Sequence, residues 1–154
     1  MTTDAERREA NKKVLRHHFT HMFEILEAGP EAVHEMRTKE SLTWLPFGGM
    51  DEPMRSDDYG WAGMSTVPNT FKFWRHEIVN IVDCLDPDTF WVEADAVSRT
   101  RLLDLDYHQR YVLQLTFRDG KLADNKEYFD SDQVQLLMRE LQHQQRWADG
   151  TPAD

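Results

Sequence analysis

Among the residues of this chain able to move a proton, Glu127 keeps the most suggestive company. In the stretch RDGKLADNKEYFDSD, residues 118–132, it follows Asn125 by two positions and lies between Lys126 and Tyr128. In a strand, side chains repeat every two residues, so Asn125 and Glu127 share one face. On a solvent face such a carboxylate is decoration beside Lys126. On a core face, desolvation lifts its pKa toward neutrality and suits it to general acid/base catalysis.

The Asp119-Gly120 pair decides between the two. If it forms a two-residue type I′ turn, Arg118 pairs with Lys121 and Glu127 lies opposite Val112, on the polar face of Arg110, Gln114 and Thr116. If Gly120 is instead the left-handed residue of a three-residue turn with a bulge, Phe117 pairs with Lys121. Glu127 then lies opposite Tyr111, on the face of Leu113, Leu115 and Phe129. A one-residue slip moves the carboxylate between water and core, and turn chemistry permits both registers.

Other residues with chemical capacity are scattered along the chain. His76, on the segment after Trp74, can divide acid and base roles with Glu127, although strand histidines also serve in packing or at the surface. His17 and His21 lie four apart, with His18 beside them, a spacing that can clasp a metal. No carboxylate of fixed spacing completes that set, a solvated helix face accounts for it, and no metal is assigned. Trp44, Phe47 and Trp61 flank a Gly-rich loop and a weak helix, where they can form a stacking wall for a planar ligand. Gly60 and Gly63 leave room there; Trp74, Tyr111 and Asn125 complete the expected substrate-binding set. Tyr107, with Asp104, Asp106 and His108, clusters where two strands connect and can rim the cone, although an exposed turn is the simpler reading. No nucleophile elbow, P-loop or Rossmann fingerprint appears, and no cofactor is expected.

The elements that position these residues follow from periodicity. Val14, Leu15, Phe19, Met22, Phe23 and Leu26 recur at helical spacing from Asp4 to about Ala28. Gly29-Pro30 stops that helix and opens a second one, to about Arg37. Ser41–Leu45 reads as a strand, residues 56–70 as a short irregular helix, and Phe73–Cys84 as a strand rich in β-branched and aromatic residues. Phe90, Val92, Ala94 and Ala96 alternate along a long strand, Tyr107–Phe117 is the clearest strand, and Leu122–Phe129 returns antiparallel. Asp130 or Ser131 caps a last helix that turns Val134, Leu137, Met138 and Leu141 inward. Helices followed by a strongly curved antiparallel sheet make an α+β fold, and a sheet wrapped around helices leaves a cone that can hold a small molecule.

Composition narrows the function further. At 154 residues the chain can bury one sizeable core. A net charge of −10 without a basic cluster argues against nucleic acid or anionic membrane as partner. Cys84 is the only cysteine, which excludes an internal disulfide and a cysteine-based zinc site. No apolar run approaches a membrane span, the N-terminus has no signal-peptide core, and a cytoplasmic location is expected.

The segments DPDTFWVEADAVSR and YHQRYVLQLTFRDGKLADNKEYF resemble the phenazine-biosynthesis A/B proteins, small members of the SnoaL-like, nuclear-transport-factor-2-like superfamily. The shared features are a D-P-x-x-F-W-V-E strand start and a D-G-[KR]-[IL]-x-x-N-[KR]-E-[FY] strand. Upstream, His34-Glu35, Leu45, Glu52-Pro53 and Trp74 fall into register with one short gap, so the likeness covers most of the chain. It implies one SnoaL-like domain over residues 1–154, frayed at about 1–5 and 148–154. It also implies a cone-shaped α+β barrel and a homodimer packed through the sheet. Such proteins bind an unstable aminoketone and help two copies condense by acid/base catalysis. The glutamate that carries this chemistry falls on Glu127, which favours the inward register. The family's pocket histidine and serine fall on Gly63 and Val67, and its arginine near the second helix on Ala32 and Val33. Loss of that arginine points to a different or uncharged ligand.

The resulting expectation is a cofactor-independent catalyst acting on a small cyclic or aromatic intermediate, with Glu127 and His76 as catalytic residues. The alternative is a non-catalytic protein that binds and shields a reactive biosynthetic intermediate.

Overall fold

The computed structural model describes residues 2–48, 51–55 and 66–148. Helix α1 (Asp4–Ala28) begins at a capping box, in which Thr3 and Glu6 satisfy each other's backbone amides. Gly29, at φ 103°, ends it in a conformation that side chains resist, and Pro30 opens α2 (Pro30–Met36). The chain then runs through β1 (Arg37–Trp44), a 3₁₀ turn (Pro46–Gly48), the short β2 (Met54–Arg55) and α3 (Thr66–Thr70). Four long strands follow: β3 (Phe71–Asp83), β4 (Thr89–Thr100), β5 (Asp106–Arg118) and β6 (Lys121–Phe129), and α4 (Ser131–Ala148) comes last. Of the irregular helix expected over 56–70, residues 56–65 lie outside the described residues.

The strands form one unclosed sheet in the order β2-β1-β6-β5-β4-β3. The expected α+β architecture is present, with one correction: the sheet is mixed, because β1 runs parallel to β6. Parallel neighbours need a long crossover, and the whole meander from β2 to β5 supplies it. Bulges in the β3–β4 and β5–β6 ladders bend the strands and curve the sheet toward α1.

Two ends of the concave face differ in character. Phe90, Val92, Leu113, Leu115, Phe117 and Leu122 meet Leu15 and Phe19 of α1 in the apolar core. That end is held by polar contacts from α1 to the β3–β4 turn: Lys12 Nζ lies 2.8 Å from Asp83, and Asn11 Nδ2 donates to Asp88 Oδ1 at 2.9 Å. Farther along, β4 offers only Ala94, Ala96 and Ser98 inward, which leaves space for larger groups from β3 and β5. At the far end, α4 is tied to the β4–β5 turn by the buried Glu140 carboxylate, which accepts from Leu102 N at 2.7 Å and Leu103 N at 2.9 Å.

Candidate active site

The hairpin beyond Asp119-Gly120 settles which way Glu127 faces, by a route that neither expected register describes. Both turn residues have positive φ, 53° and 74°, and Arg118 pairs with Lys121 as in a two-residue hairpin. One pair further on, Phe117 still faces Leu122, but Thr116 faces Asp124. Ala123 is thus the extra residue of a bulge, and every later side chain on β6 is turned over. Leu115 consequently faces Asn125, Leu113 faces Glu127, and Tyr111 faces Phe129. The turn is the two-residue one, yet the carboxylate points inward.

Glu127 stands among the apolar residues of the concave face. Burial pushes its pKa up; a hydrogen bond donated by Asn125 Nδ2 and the charge of Arg37 pull part of the way back. Arg37 is only 4% exposed, at the junction of α2 and β1, with Nη2 3.3 Å from Thr43 Oγ1. Burial pushes its pKa down, and the charges of Glu127 and Asp124 oppose that shift. The strand pairing sets Thr43 beside Asn125, so the carboxylate, the amide and the guanidinium gather where β1 meets β6.

A wall of aromatic rings continues from there along β5 and β3. Burial raises the pKa of both the Tyr107 and the Tyr111 phenol, with the Glu127 charge adding to it. Gln109, 1% exposed, donates from Nε2 to the Tyr107 hydroxyl at 3.3 Å. It also exchanges hydrogen bonds with the backbone of Asp130, fixing the end of β6. Tyr107 is therefore an interior residue, not the exposed turn its acidic neighbours suggested.

His76 touches this wall through Tyr111, with ring centroids 5.9 Å apart, and packs on Phe19 at 4.9 Å. The Trp74 indole Nε1 lies 3.1 and 3.2 Å from the two His76 ring nitrogens. An indole can only donate, so the imidazole must keep a lone pair for it. Burial agrees, holding the His76 pKa down at about 4. Helix α1 leaves helical geometry at His21, two residues past the Phe19 ring on which His76 packs.

His18 is the residue the sequence concealed. Its ring lines a recess with Leu15, Met36, Leu115 and Leu122, and its enclosed Nδ1 has no hydrogen-bond partner. Burial, then the Arg37 charge, then the neighbouring histidines hold its pKa down at about 3. The flanking His17 and His21 are exposed, as a solvated helix face would have them, with rings 4.6 Å apart. Among the described residues no cluster of metal-binding side chains occurs.

The other expected ligand contacts divide. Asn125, Tyr111, Trp74 and His76 share the concave face with Glu127. Trp44 lies on the opposite face, beneath the Lys126 ammonium at 4.2 Å. Phe47 is 63% exposed and packs edge-on against Tyr128, on that same outer side. Trp61 lies outside the described residues. Arg37 and His18 were missed because charge and polarity read as surface. Their spacing carried a signal: His18 falls three after Leu15 and four before Met22, and Arg37, Ser41 and Thr43 share β1's inward parity.

Neither a family profile nor a curated sequence matches this chain. Solved structures do. A phenazine biosynthesis-related protein from Pseudomonas aeruginosa aligns over 98% of this chain and 92% of its own, with TM-score 0.64 and 18% identity. A protein from Jannaschia described as a SnoaL-like polyketide cyclase covers 82% of this chain and 90% of its own, with TM-score 0.66 and 13% identity. TerC, co-crystallised with polyporic acid, covers 84% and 98%, with TM-score 0.62 and 15% identity. The chain has the SnoaL-like, nuclear-transport-factor-2-like fold.

Proposed function

We propose that this protein is an acid/base catalyst of secondary metabolism. On this reading it promotes condensation, cyclisation, dehydration or isomerisation of a small cyclic or aromatic intermediate, with Glu127 carrying the proton. The observation that bears the reading is the inward Glu127 carboxyl, whose pKa burial raises toward the range where it can both take and return a proton. Asn125 holds its orientation, and Arg37 supplies a compensating positive charge. Tyr107, Tyr111 and Trp74 offer a flat wall to a ring. The presence of Arg37 also reopens the ligand class to anions, which the sequence alone had set aside. Support comes from the company the fold keeps: a phenazine-biosynthesis protein, a SnoaL-like polyketide cyclase and a protein crystallised with polyporic acid. His76, which accepts the Trp74 indole N–H and packs on Phe19, serves on this reading as a strut between α1 and β3 rather than as the second proton carrier.

The protein works as a cytoplasmic homodimer in this proposal, joined through the convex face of the sheet. There Val82, Val97 and Val112 are exposed and Trp91 stacks on Tyr128.

Ring opening of 5-nitrobenzisoxazole tests the catalytic claim, because a desolvated carboxylate takes its C–H proton as the N–O bond breaks to give a cyanophenolate. Glu127→Gln should slow this reaction by roughly a hundred- to ten-thousand-fold. Equal rates in both proteins would end the catalytic reading. The shielding protein would remain, recognisable by thermal stabilisation with cyclic ketones or aromatic acids that the substitution leaves intact.

A further inference from the structure

Helix α1 contributes an imidazole to the concave face, and the reading of Glu127 as a base leaves that group without a task. We propose that His18 is the oxygen anchor of the site. Its ring donates a hydrogen bond to the ligand oxygen that gains negative charge as Glu127 removes a proton, so the ligand carries a phenol, an enol or an enolisable ketone.

Placement is the first argument. His18 lies on the inward stripe of α1 and covers Leu115 and Leu122 of the sheet. Leu115 pairs directly with Asn125, two residues before Glu127, so the imidazole enters from the helix side over the strand pair that carries the carboxylate. The second argument is an accounting of polar atoms. Buried polar groups normally find partners. Here His18 Nδ1 and Asn125 Oδ1 are both enclosed and both lack one; Leu115 lines the recess with His18 and is the strand partner of Asn125. A ligand with an oxygen for one and a hydroxyl or amine for the other satisfies both.

Charge is the third argument. The groups whose charge bears on His18 are Arg37, His76 and His17. Arg37 discourages protonation of the ring, so the ring stays a neutral donor, while the same guanidinium favours an anion nearby. Glu127 complements an acidic proton; His18 with Arg37 complements the charge that proton leaves behind. Donors placed in advance where charge develops stabilise a transition state without reorganising during the reaction.

The inference rests on Glu127 acting as the base, and the test separates the two claims. The probe is 4-nitrophenol, whose yellow anion reports ionisation directly. Bound to the wild type it should ionise below its solution pKa, releasing its proton to the buffer. His18→Phe should weaken phenolate binding on the order of ten- to a hundred-fold, the loss expected for a hydrogen bond to a charged group. His18→Asn, whose amide nitrogen takes the place of Nδ1, should restore part of it, which a purely structural role would not. Glu127→Gln should bind the phenolate at least as tightly as the wild type, since a repelling carboxylate is gone, while slowing 5-nitrobenzisoxazole turnover by roughly a hundred-fold or more. If the wild type fails to bind the phenolate, or both His18 variants bind it as the wild type does, the anchor is refuted. Turnover indifferent to Glu127→Gln would instead refute the base.

Discussion

Lowering the pH from 7.5 to 5 should cost this fold stability through two histidines. Burial holds the His18 pKa at about 3 and that of His76 at about 4. An unfolded imidazole titrates near about 6.5. Between those values the unfolded chain binds protons that the folded protein refuses. The stability is whole above the unfolded pKa and drains away as the pH falls toward the folded ones. At pH 5 the penalty per ring is RT ln(1 + 10^1.5), about 2 kcal/mol, or about 4 kcal/mol for both. Because both folded values lie below pH 5, the unfolded ring alone sets that figure. Against a typical domain stability of about 5–15 kcal/mol, the loss is large.

Glu127 acts with the opposite sign. Its raised pKa means the folded protein holds a costly charge at pH 7.5, and stability rises as the pH falls through the folded value toward the unfolded one. The histidines are therefore best isolated in a Glu127→Gln background, by urea denaturation at half-unit steps of pH. There the free energy should fall by about 4 kcal/mol between pH 7.5 and 5. Adding His18→Asn and His76→Asn should flatten the curve. A flat curve before the histidines are replaced, or an unchanged slope afterwards, would refute the account of a buried, neutral histidine pair.

Two further outcomes follow from other parts of the molecule. Glu140→Ala should leave the Leu102 and Leu103 amides without their acceptor, destabilise the protein by roughly 2–4 kcal/mol, and speed hydrogen exchange at those two amides above their neighbours. Val112→Arg, on the convex face at a residue 44% exposed, should convert the proposed dimer to monomer in sedimentation velocity without changing the circular dichroism.

Much of the scaffold was legible because its signals are periodic. The α1 stripe and the alternation of Phe90, Val92, Ala94 and Ala96 sort residues by face without any knowledge of partners. The parallel pairing of β1 with β6 was not legible. Ser41–Leu45 read as a strand and forms the second half of β1, but nothing in RTKESLTW marks it as an interior strand of the sheet, since its inward residues are Arg37, Ser41 and Thr43. Those polar residues are where a ligand-facing surface would be, so the rule that finds cores overlooks sites. His18 was hidden for a related reason, since His17 and His21 on either side made a solvated cluster the simpler account. Glu127 was found because a turn motif and an alternating strand bracket it. Its facing was legible only as a pair of alternatives, since the bulge at Ala123 leaves no mark of its own in the sequence.

That bulge has a genetic consequence. In an alternating strand, the facing of a side chain is a matter of odd or even count from the last fixed pair. Gaining one codon between Ala123 and Asp124, with turn and bulge kept, exchanges the whole set Asn125, Glu127 and Phe129 with Asp124, Lys126 and Tyr128 without a single substitution, whereas losing the Ala123 codon closes the ladder and leaves every later pair in place. A lineage can thus acquire or abandon a lined chamber in one indel, where point substitutions would have to rewrite six positions. Its trace among descendants is a length difference of one residue. An alignment that closes that gap would compare chamber-facing residues with solvent-facing ones and mistake inheritance for divergence.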